Sequence, residues 1–126
     1  MRFMLLLPAP VQALEDCAIP NPELVNSMRK FNDEMSKAGV LLAAEGLHPT
    51  SKGTRIRISQ GKRVVTDGPF AEAKEVIAGF WMIQVKSREE AIAWASRCPL
   101  PESGVIEIRP IFEHSDFPPE LQKKYS

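Results

Sequence analysis

The stretch "AGFWMIQVKSREEAIAWASRCP", Ala78–Pro99, divides into two halves. Up to Ser87 it is apolar at consecutive positions and rich in aromatic and β-branched residues, which predicts a strand buried on both faces. Ser87 and Glu90 then form a capping-box pattern, Ala91, Ile92 and Ala95 share a helical face, and Pro99 marks the end. A strand running directly into a helix is half of a β-α-β unit. "GVIEIRPIFEH", residues 104–114, supplies the second strand.

The N-terminal half has the same order. "RFMLLL", Arg2–Leu7, is a short apolar run that Pro8 and Pro10 should stop, so it reads as a buried strand. "NPELVNSMRKFNDEMSKAG" reads as a helix capped by Asn21, with Pro22 in its first position and Gly39 at its exit. Its stripe is Leu24, Met28, Phe31 and Met35, spaced to lie on one face. "VLLAAEGLH" returns as a strand ending at His48. "TRIRISQGKRVVTDG" alternates, with Ile56 and Ile58 on one face and Arg55 and Arg57 on the other, and Gln60-Gly61 as a hairpin turn.

The order β-α-β, inserted hairpin, β-α-β predicts an α+β chain with the ferredoxin-like arrangement: antiparallel strands, both helices on one face. One domain over residues 1–114 is expected, with a polar tail over 115–126. Residues 3–7 and 80–83 point apolar groups to both faces of the sheet, whereas helices cover one. A second copy packed sheet against sheet, a homodimer, is the economical cover; the tail or loops folding over is the rival.

The chain has 126 residues, 44% of them apolar and 25% charged. Sixteen basic and sixteen acidic side chains cancel, so no global field draws it to nucleic acid or to anionic membrane. The run after Arg2 is too short for an export signal and no stretch reaches membrane-span length, which predicts a soluble cytoplasmic protein. Cys17 and Cys98 have no metal or redox spacing and read as idle thiols.

Nucleotide, zinc-hydrolase, redox and serine-hydrolase motifs are absent, so any chemistry comes from scattered residues and nothing calls for a metal or an organic cofactor. His48 and Asp67 stand at strand ends, and a histidine beside a carboxylate is suited to proton transfer near neutral pH. They are the catalytic candidates. Before Pro49, His48 also fits an ordinary turn. Asp67-Gly68-Pro69 fits turn chemistry as well, but the following Phe70, Glu72, Lys74 and Glu75 crowd that corner in a way a turn does not require. Arg55 and Arg57 can hold an anion or simply form the wet face of a hairpin. With Phe70 and Glu72 they are the candidates for substrate binding. His114, with Glu113 and Asp116, is weak as a metal cluster.

"DGPFAEAKE", with "GFWMIQVKSREEAIAWASRCP" and "IEIRPIF", resembles the YCII-related family in its DGPF-domain branch, whose hallmark reads DGPFAETKE. Ala73 departs from it by losing the threonine hydroxyl. The resemblance runs from "RFMLLL" to about residue 112. It implies a dimeric α/β barrel and places an acid, here Asp67, in a cleft near the dimer interface. Relatives carry a His-Asp pair, and one dechlorinates intermediates of aromatic breakdown. Their histidine lies in the first helix, which has none in this chain, so His48 would have to replace it. The reading is a small-molecule-binding protein, with proton transfer or elimination on a small anionic organic molecule as its chemistry. The alternative is a non-catalytic dimeric ligand-binding or accessory domain linked to an extracytoplasmic-function sigma factor.

Overall fold

A computed structural model describes residues 1–16, 21–70 and 72–125. Along the chain lie β1 (Arg2–Pro10), α1 (Val11–Asp16), α2 (Pro22–Lys37), β2 (Leu41–Gly46), β3 (Thr54–Ser59), β4 (Lys62–Asp67), β5 (Glu75–Gln84), α3 (Arg88–Ala95), β6 (Glu107–Pro110) and α4 (Pro119–Tyr125). Single 3-10 turns occur at Thr50–Lys52 and His114–Asp116. Four strands form an antiparallel sheet in the order β2-β5-β1-β6, and β3-β4 is a separate hairpin. The chain is α+β, with antiparallel sheets compatible with the ferredoxin-like arrangement.

β1 runs through the prolines expected to stop it. Its pairing with β6 covers only Phe3 to Leu6, so Pro8 and Pro10 lie where, among the described residues, no strand pairs with that side of β1. A missing N–H costs little there, and a bulge between Leu7 and Pro8 realigns the pairing with β5. The local signals around α2 and α3 act largely as read, except that the Glu90 side chain closes its cap on the Lys86 N–H, at 3.1 Å, one residue before Ser87. Asn21 Oδ1 accepts from the Glu23 N–H at 2.8 Å, and Ser87 Oγ accepts from the Glu90 N–H at 3.1 Å. Gly39 takes φ +75° beyond α2, and Gln60 and Gly61 take φ 50° and 76° in the hairpin turn.

Strand alternation divides the sheet. Phe3, Leu5, Trp81 and Ile83 face the helices and pack with Phe31 and Met35 of α2 and Ala91 and Ala95 of α3. Met4, Leu6, Phe80 and Met82 lie opposite one another on the far face and are only half-buried. The hairpin departs from the expected wet and dry faces. Ile56, Ile58 and Val65 are 61–64% exposed. Its arginine face is the one that finds a partner, because Arg55 packs on the corner that follows β4.

Within the expected polar tail, Pro119–Tyr125 forms α4. No helix among the described residues is long and apolar enough to cross a membrane. Cys98 is a buried free thiol; Cys17 lies outside the described residues.

Candidate functional site

A cavity of about 580 Å³ opens between α2 and the paired ends of β2 and β5. That volume is in the usual range for a small-molecule site, about 300–1,000 Å³. Its origin lies in a mismatch between the helix and the sheet. The apolar stripe of α2 continues toward the N-terminus beyond its buried residues Phe31 and Met35, so Met28 is half-covered and Leu24 is 43% exposed. Both line the cavity, with Leu7, Ala44 and Trp81 among the residues opposite.

The polar groups on this wall are few. Asn21, Arg29, Asn32 and His48 line it, and so does Glu45, with the Asn21 side-chain oxygen already engaged at the cap of α2. Trp81 Nε1 donates to Asn32 Oδ1 at 2.7 Å, which holds the amide. Glu45 pairs with Phe80 in the β2–β5 register, so strand alternation assigns its side chain to the far face. Among the described residues, neither Arg29 nor His48 forms a hydrogen bond or an ion pair within the chain.

His48 reaches the wall because a bond from the Leu47 N–H to the Ala78 carbonyl, 2.8 Å, extends β2–β5 pairing just beyond β2. The loop after it is clamped by the corner that follows β4. Gly68 donates to the Gly53 carbonyl at 2.9 Å, and the Phe70 N–H donates to Thr50 Oγ1 at 3.1 Å. A Cβ on Gly68 would lie 1.7 Å from the Thr50 carbonyl oxygen, so only glycine fits this approach. The Asp-Gly-Pro-Phe corner therefore grips Thr50, two residues from His48.

The six residues singled out from the sequence fall into two groups. His48 lines the cavity. Asp67 accepts from Thr54 Oγ1 at 3.0 Å across the hairpin, directly opposite in register. No hydrogen bond or ion pair joins it to His48. Phe70 is buried, at 6% exposure, and the Arg55 guanidinium lies 3.9 Å from its ring centroid. Arg55 also pairs with Glu72 at 3.1 Å, so three of the candidates form one cluster outside the cavity wall. Arg57 shares the Arg55 face of β3 and is exposed. Glu113 and Asp116 are engaged locally: Glu113 pairs with Arg2, and Asp116 accepts from the Glu113 N–H.

The YCII-related domain model matches residues 1–115. The chain belongs to the YCII-related family. An uncharacterized protein of Rhizobium meliloti is 39% identical to this YCII-related chain over 77 residues, 60% of this chain and 62% of the relative. The chain thus spans less than two thirds of that relative's length.

Sequence reasoning about this YCII-related chain missed Arg29, Asn32 and Trp81 as wall residues. One signal was present. Asn32 continues the four-residue spacing of Leu24 and Met28, so a polar side chain interrupts an otherwise apolar stripe.

Proposed function

We propose that this protein binds a small organic molecule in the α2–sheet cavity and that His48 gives or takes a proton there. The supporting observation is the cavity: an apolar wall with a few polar groups, one of them a histidine on a clamped loop with no hydrogen bond or ion pair among the described residues. Proton transfer or elimination is the chemistry that one imidazole can serve near neutral pH. Asp67, with Arg55, Phe70 and Glu72, serves by holding the corner that positions this loop.

The test is an NMR pH titration of both histidines in wild type and in Asp67→Asn, with and without a mixture of small apolar acids and amides. His114 is the internal control. The expected result is that cavity ligands move the His48 resonances while Asp67→Asn leaves its titration close to wild type. A His48 that ignores every ligand sinks the cavity reading. One whose titration follows Asp67→Asn instead restores a direct His48-Asp67 pair.

Assembly is a second reading, and two exposed apolar surfaces favour it. Met4, Leu6, Phe80 and Met82 leave the far face of the sheet half-covered, and the hairpin carries Ile56, Ile58 and Val65 in the open. A homodimer packed through the sheet, the dimeric α/β barrel, covers the first surface with a copy of itself. Sedimentation equilibrium should give twice the chain mass for wild type and one chain mass for Met82→Lys. A monomeric wild type rejects the dimer.

A further inference from the structure

The cavity has a polarity that its volume alone does not reveal, and it follows from one hydrogen bond. An indole N–H can only donate, so the Asn32 atom facing Trp81 Nε1 at 2.7 Å must be the amide oxygen. Asn32 Nδ2 therefore carries its two N–H donors elsewhere, and no hydrogen bond among the described residues uses them. Asn32 lines the cavity, and so does Arg29, a second donor group with no ion-pair partner among the described residues. His48 adds a ring that can also donate. Around these groups the wall is apolar: Leu24, Val25 and Met28 from the helix, with Ala44 and Trp81 from the sheet.

We infer that Asn32 is a specificity-determining residue: held by Trp81 as a fixed donor, and backed by Arg29, it selects an apolar-bodied molecule whose head is an acceptor oxygen, as in a carboxylate or an enolate. This rests on the cavity being the binding site, as proposed above, and it adds the chemical class of the ligand. A donor held in place before binding loses little freedom when the ligand arrives, so its contribution to selectivity is not offset by ordering. The same fixity makes it discriminating. A head group that presents N–H donors to Asn32 Nδ2 leaves donor facing donor, and such mismatches are costly.

Asn32→Asp is the diagnostic change. It keeps an oxygen for the Trp81 N–H while replacing the donor amide by a second acceptor. The probes are 2-naphthoate with 2-naphthamide, and cyclohexanecarboxylate with cyclohexanecarboxamide, titrated into the full chain. Binding is read from the two indole N–H resonances, with Trp94 on α3 as the control and Trp94→Phe for assignment. The expected result is that the acids shift Trp81 and not Trp94, and bind wild type at least tenfold tighter than their amides. Asn32→Asp should lose at least tenfold for each acid while the amides hold or gain, and Arg29→Gln should weaken only the acids. Equal binding of acid and amide, or acid affinity unchanged in Asn32→Asp, overturns the inference while a Trp81 shift still supports the cavity. If none of the four probes shifts Trp81, the cavity reading falls and takes this inference with it.

Discussion

The indole N–H of Trp81 on β5 donates to Asn32 Oδ1 on α2, across the seam between sheet and helix. The same ring meets Phe31 edge to face, with centroids 5.5 Å apart and planes at 81°. One residue thus ties the helix to the sheet by packing on one side and by a polar bond at the margin of the cavity. Asn32→Leu leaves the indole N–H without an acceptor and should cost about 1–3 kcal/mol. Asn32→Asp retains the acceptor and should keep most of that stability. Urea unfolding of the two variants checks the difference.

Gly68→Ala should be among the most damaging single-methyl changes in the chain. The added carbon collides with the Thr50 carbonyl, which is backbone and cannot rotate away as a side chain would. A cost of roughly 3 kcal/mol is expected, with the Thr50 loop displaced. Thermal unfolding measures the first effect. Changed His48 resonances in the folded protein, with His114 unmoved, measure the second.

Burial pushes the Cys98 thiol up to about 11. The folded value is above the unfolded one, so the fold holds the proton more tightly. Cys98's contribution is whole below the unfolded thiol's value of about 8.5 and is lost as pH rises toward about 11. Stability measured across that window should fall less steeply in Cys98→Ala than in wild type, even though the variant starts lower. Alkylation of the native protein at neutral pH should be slow, because the thiolate is the reacting species.

Arg2 Nε and Nη2 reach the two carboxylate oxygens of Glu113 at 2.9 and 3.3 Å, joining the first strand to the segment after the last. The hydrogen bond from Arg2, rather than the charge alone, leads in holding the Glu113 carboxyl below its usual range. A depressed folded value means that this contribution is present above the ordinary glutamate range and is lost as pH falls through the folded value. Arg2→Gln should therefore flatten the acid-side loss of stability. The pair is partly open to solvent, so 1 M salt should shrink the difference between Arg2→Gln and wild type.

Much of the fold was legible because its signals are local. Asn21, Ser87 and Gly39 act within a few residues of themselves, and the Gln60-Gly61 turn does too. Consecutive apolar residues in β1 and β5 announced a sheet with two apolar faces. The PAP segment misled because whether a proline breaks a strand depends on which neighbours it has, and β6 pairs only as far as Leu6.

The site was legible only in part. His48 stood out by type and position. Asp67, Arg55, Phe70 and Glu72 also stood out, and tertiary contacts gather them into the corner and the hairpin that grip the His48 loop. Nothing in periodicity tells where a helix stripe outruns the sheet beneath it, so Leu24 read as one more residue of the apolar face and became cavity wall.

By itself the sequence determined the six strands, helices α2 and α3, their order, the main caps and turns, and the family, since each depends on residue type at short range or on a motif read in line; it did not show α1 or the full length of β1. Only the tertiary structure decided which glycine must be glycine, which face of the hairpin finds a partner, and which way the Asn32 amide points. Those are set by atoms distant along the chain: the Thr50 carbonyl, the Phe70 ring and the Trp81 indole N–H, each of which leaves its partner one workable arrangement.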